Sequence, residues 1–192
     1  MKLLLSLLLF VSILISSANA DTATVVATVE AQLGTTFSMA FYTDANVLYS
    51  TNLPFGTIDT SKSQCKPVGR VDYDGKSDTG VVCLSNLGQR WYLKLKGEPG
   101  SSPAFPMQYF QYYMSQPYNR NTGQPSNGTL AQPAAWYSIP TSSTTVYTAG
   151  LQDLINTQYG TLSTFNFAID PQHLTGSSSY IIKITYTLST SP

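Results

Sequence analysis

Histidine occurs once in these 192 residues, cysteine twice, and Asp, Glu, Lys and Arg together make up only 10 % of the chain. Each scarcity excludes something. A Ser-His-Asp or Cys-His centre would have to be built on His173, which stands in the turn-like stretch Asp170-Pro171-Gln172-His173. Nucleophile-elbow, zinc-protease and phosphate-loop patterns are missing. The acids are scattered, with no paired carboxylates for glycoside hydrolysis. Two cysteines and one distant histidine make a poor metal-ligand set. The expectation is a protein that is not an enzyme and has no catalytic residues, metal or cofactor. A formal net charge of zero gives no footprint for nucleic acid or anionic lipid. Charge far below the roughly 25 % of ordinary soluble domains leaves the surface to Ser, Thr, Asn, Gln and Tyr.

What is present starts with the N-terminus. Lys2, an apolar run over 3–15 and Ala18-Asn19-Ala20 have the form of a basic region, a short apolar core and a small-residue cleavage site. The run is shorter than the roughly 20 residues that span a bilayer. Residues 1–20 are therefore expected to be a cleaved secretion signal, and 21–192 a single exported domain. No second long apolar run follows, so no transmembrane segment is expected after cleavage. In an oxidising compartment the pair Cys65 and Cys83 reads as one disulfide. Such a bridge would stabilise the fold by roughly 3 kcal/mol.

Apolar residues alternate with polar ones along most of the remaining chain, the pattern of half-buried strands. Phe37, Met39 and Phe41 form one such row; Trp91, Leu93 and Leu95 another; Phe165, Phe167 and Ile169 a third. Tyr180, Ile182, Ile184, Tyr186 and Leu188 form the longest. Further strands are expected at 22–29, 80–84, 108–114 and 144–148. Helix signals are nearly absent, the best being one short helix over 151–156. Many short strands without a βαβ rhythm predict an all-β fold: a two-layer antiparallel β-sandwich with Greek-key, Ig-like connections. Residues 115–135, rich in Pro, Gly, Asn and Gln, read as a long surface loop.

Two features could bind something. Asp72, Asp74 and Asp78 flank Gly75 with alternating oxygen ligands, as calcium loops do, although Cys83 stands where an EF-hand needs its last acid. An acidic hairpin turn explains them as well. The second feature is aromatic. Tyr is found 13 times, and Tyr109, Phe110, Tyr112 and Tyr113 precede the long loop, while Trp136 and Tyr137 follow it. Alternation places Tyr109, Gln111 and Tyr113 on one face and Phe110, Tyr112 and Met114 on the other. Only one face can be core, so some of these rings should be exposed where sugars stack.

Three segments together resemble the WxL domain of bacterial cell-surface proteins. They are Leu53-Pro54-Phe55-Gly56-Thr57-Ile58, the tripeptide Trp91-Tyr92-Leu93, and the strand-rich ending with Tyr186-Thr187-Leu188 and a final Pro192. The resemblance implies a secreted β-rich module held at the cell wall through peptidoglycan or another surface glycan, with Trp91, Leu93, Tyr186 and Leu188 as candidate contacts. Tyr186 stands where that family has a second Trp. Spore-coat and fimbrial subunits share the Phe-Gly segment. They imply the alternative, a structural subunit of a fibre, pilus or coat that binds other surface proteins or itself through strands 22–29 and 180–188. A hydrolase of wall glycans is a third reading. The strand pattern itself assigns Trp91, Leu93, Tyr186 and Leu188 to core faces.

Overall fold

The computed structural model describes residues 21–31, 37–42, 52–68, 79–174 and 178–192. Within them the chain forms two β-sheets packed face to face. The strands are β1 (Asp21–Ala31), β2 (Phe37–Phe41), β3 (Asn52–Ile58), β4 (Thr79–Asn86), β5 (Tyr92–Pro99) and β6 (Phe110–Met114). They continue with β7 (Tyr118–Asn119), β8 (Thr129–Leu130), β9 (Tyr137–Ser138), β10 (Thr144–Thr148), β11 (Ile155–Ile169) and β12 (Ser179–Ser189). The first sheet has the order β3-β1-β12-β5-β10-β8, and the second β2-β4-β11-β6-β9, with β7 pairing farther along β11. The all-β sandwich expected from the alternation is the architecture found. One ladder departs from the antiparallel rule: β1 and β12 run parallel, Val25 opposite Ile182.

The alternating rows set the core. Leu93, Leu95, Ile182, Ile184 and Tyr186 of the first sheet are fully buried, as are Val81, Phe110, Phe165, Phe167 and Ile169 of the second. Burying each such side chain stabilises by roughly 1.5–3 kcal/mol. Ring contacts cross between the sheets: Tyr186 packs against Phe165 at 5.0 Å and Phe55 against Phe110 at 6.1 Å. Phe55 lies on β3, a strand that Pro54 and Gly56 hide from a sequence reading. Gly56 takes φ +63°, a left-handed backbone that favours glycine.

β11 is the longest strand and organises the second sheet. It pairs with β4 on one edge and with β6 and β7 on the other. Its register against β4 shifts between Asn156 and Thr161. Gly160, at φ +75°, sits in this bulge. A Cβ there would meet Val82 Cγ1 at 2.5 Å and the Cys83 carbonyl oxygen at 2.8 Å, so only glycine fits.

Two sequence expectations are corrected. The helix over 151–156 is a single 3-10 turn, Leu151–Asp153, after which β11 begins at Ile155. The stretch is too short to nucleate a helix, and its next residues find a ladder with β4. The second correction concerns the cysteines. Cys83 pairs with Thr161 on β11 and Cys65 bridges to Ile169 on the same strand. At ~3.3 Å per residue those two positions are about 26 Å apart. A disulfide needs Cα atoms within roughly 7 Å. Both thiols are free and buried. The signal over 1–20 and the acids Asp72, Asp74 and Asp78 lie outside the described residues. Among the described residues no helix is long and apolar enough to cross a membrane.

Candidate functional site

The aromatic residues on either side of the 115–135 segment come together on one ribbon. β6 and β9 pair with Tyr112 opposite Tyr137 and Gln111 opposite Ser138. Cross-strand partners share a face, and the two tyrosine rings lie 6.3 Å apart at 45°. Their neighbours in sequence turn to the opposite face, where Tyr113 and Trp136 meet at 5.8 Å. Phe110, Tyr112 and Met114 are the buried row of β6, and Gln111 and Tyr113 the half-buried one, as the alternation predicts.

On the inner side of this ribbon the two sheets part. After β9 the chain crosses to the first sheet through Ile139 and Pro140. The Ile139 N–H donates to the Phe110 carbonyl, and the Gly97 N–H to the Pro140 carbonyl, both at 2.8 Å. The crossing is tight: a Cβ on Gly97 would meet Ile139 Cγ2 at 2.8 Å and Met107 Cε at 2.9 Å. The chain then returns as β10, leaving an open groove of about 350 Å³ between β9 and β10. Half-buried Tyr137, backed by the buried Tyr112, forms its aromatic side, while Gln132 brings an amide and Thr144 and Thr145 bring hydroxyls; Ser138 also lines it, its own hydroxyl donating to the Gln108 carbonyl. None of the side chains lining it carries a charge. Burial, and then the neighbouring Tyr137, raise the Tyr112 phenol above its ordinary range.

The 115–135 segment that walls the groove is tied down. It carries β7 and β8, and Gln116 Nε2 donates to the carbonyls of Ser126 at 2.8 Å and Gly128 at 3.1 Å. Ser126 reaches a buried polar knot. Asp153 Oδ2 accepts from Ser126 Oγ and Tyr147 OH, both at 2.6 Å, and from the Gly150 N–H at 2.9 Å; Oδ1 accepts from Thr161 Oγ1 at 2.8 Å. Asp153 is 1 % exposed and Tyr147 fully buried. Burial, and next the bond donated to Asp153, push the Tyr147 phenol far up. A carboxyl group with four donors and no path to solvent has nothing left for a ligand. It holds the loop to the core, which a buried acid can do only when fully hydrogen-bonded.

The structure gathers Tyr112, Trp136 and Tyr137 at this ribbon and separates them from the other suspected contacts. Trp91 and Leu93 are fully buried, as is Tyr186, and Leu188 is nearly so. Trp91 Nε1 donates to the Asp153 carbonyl at 3.1 Å, and Tyr186 OH bonds Thr79 Oγ1 at 2.9 Å. These four residues serve packing and have no surface to offer. His173 is exposed in its turn, stacked on Tyr109 at 4.8 Å. Gln132, Ser138, Thr144 and Thr145 were not expected; their only signal was a small, uncharged stretch between two aromatic strands. No protein-family model matches the chain, and no curated protein does either.

Proposed function

We propose that this chain is a secreted, non-catalytic binding module of the cell surface or wall, and that the β9–β10 groove holds a glycan. The observation that carries this reading is the groove itself: the half-buried Tyr137 ring, backed by the buried Tyr112, lies among amide and hydroxyl side chains, with no charged side chain in the lining. Aromatic faces stack on the C–H faces of sugars, and neutral donors and acceptors match their hydroxyls. Hydrolysis of a glycosidic bond needs two carboxyl groups about the bond, and this lining has none, which favours binding over cleavage. The signal-like N-terminus and the resemblance to WxL domains support export and a wall location, on an outer surface or in a periplasm.

The test is a pull-down of the mature protein on purified peptidoglycan and on other wall polysaccharides. Retention is expected, and Tyr137→Ala should weaken it about tenfold or more while leaving the melting temperature close to that of the parent. Failure of every polysaccharide to retain the parent protein above a control sandwich of equal size would end this reading.

A further inference from the structure

No strand of the second sheet contains Asp, Glu, Lys or Arg. Its outer face is neutral, and charges reach it from the connecting segments. One of these is Lys66, whose Nζ lies 5.7 Å from the Trp136 ring centre, on the platform that Trp136 forms with Tyr113. The segment carrying it is fastened to β6, Gln64 Nε2 donating to Gln111 Oε1 at 3.3 Å. Beside the platform, Lys62 and Lys66 line an open hollow of about 380 Å³ with Gln64, Thr57 and Asp59. Asp59 is itself engaged, by Ser61 at 2.6 Å and Lys62 at 4.0 Å. Among the described residues Lys66 has no ion pair.

Trp136 and Tyr137 are adjacent in sequence and face opposite sides of the ribbon. Because β9 is the outer strand of its sheet, a chain molecule seated on Tyr137 that passes round this edge arrives at the Trp136 platform and Lys66. From this we infer that the ligand is an acidic glycan, its neutral ring in the groove and a carboxylate or similar anion at Lys66. The inference rests on the glycan reading of the groove and adds the charge. An ammonium seated on an indole face keeps its charge while part of its hydration is replaced by the ring, which leaves it able to pair with an incoming anion.

The experiment measures binding of the mature protein to hyaluronan, alginate and polygalacturonate, each in native and carboxyl-reduced form. At least one native polymer should bind, and carboxyl reduction should weaken it about tenfold, as should Lys66→Ala, with Lys66→Arg restoring it. Added salt should weaken the native form more than the reduced one. Equal binding of native and reduced forms, or no effect of Lys66→Ala, overturns the acidic class. If Tyr137→Ala still abolishes binding in that case, the groove reading survives. Absence of binding to any of these polymers overturns the acidic class, and retention on peptidoglycan in the pull-down then decides whether the groove reading stands.

Discussion

At the scale of single residues, the hydroxyl of Tyr147 and the thiol of Cys83 are the most informative groups. Tyr147→Phe keeps the ring against Trp91, 5.8 Å away, and deletes one donor to Asp153. Hydrogen bonds to a carboxylate contribute about 1.5–3 kcal/mol. For a domain of this size that is a fall in melting temperature of about 3–12 °C, readable by calorimetry. Cys83 is buried, and desolvation, followed by the field of Asp153, pushes its thiol far up. Only the thiolate reacts with alkylating agents. Native protein should therefore show no reactive Cys83, and intact mass should not change on reduction; a gain of two hydrogens would restore the disulfide. The same shift has a sign for stability. The unfolded chain loses the thiol proton at an ordinary pKa of about 8.5, while the folded chain keeps it. The unfolded state then binds fewer protons, so stability from this group is intact below that pH and falls above it, by about 1.4 kcal/mol per pH unit. Urea unfolding of Cys83→Ala between pH 8 and 10 should lose this part of the alkaline decline.

At the scale of elements, β11 carries the argument. Its bulge needs Gly160, both for φ +75° and for the space beside Val82 and the Cys83 carbonyl. Gly160→Ala should cost about 2 kcal/mol or more, from left-handed strain plus the clash. Denaturant unfolding checks this, and a cost under a few tenths would show that the bulge relaxes. Elements of this kind also mark what a sequence can and cannot say. The rows ending in Leu95, Ile169 and Leu188 were legible because alternation is a direct record of which face is buried. β3 was not, because Pro54 and Gly56 break its propensity while β1 supplies the ladder. The cysteine pair misled for a similar reason. Compartment and parity say that two thiols can join, but the distance between them is set by where each segment docks along β11. In the site, Tyr112, Trp136 and Tyr137 were legible as an aromatic cluster. The hydroxyl and amide groups facing them were not, since β10 is brought opposite only by the crossing at Gly97.

For the whole molecule the question is whether it stands alone or builds a fibre. The strands over 22–29 and 180–188, expected to recruit a neighbouring copy, lie inside the first sheet: β1 is flanked by β3 and β12, and β12 by β1 and β5. Their ladders are occupied, and a second copy would have to displace a partner strand to reach them. Of the four outer strands among the described residues, β2 (Phe37–Phe41) is the one regular edge, five residues long, and the other three offer little more. β8 and β9 have two residues each. β3 carries Pro54, and the Val68 N–H already donates to the Pro54 carbonyl at 2.8 Å. Proline and short edges are the usual ways of blocking edge-to-edge growth. The expected outcome is therefore a single-chain mass in light scattering across a wide concentration range, without fibres by electron microscopy. A groove open on one side also needs no second copy to complete it. Ordered filaments of the mature protein would reverse the preference. They would place the function in assembly rather than in glycan binding, with Tyr137→Ala then leaving filament formation unchanged.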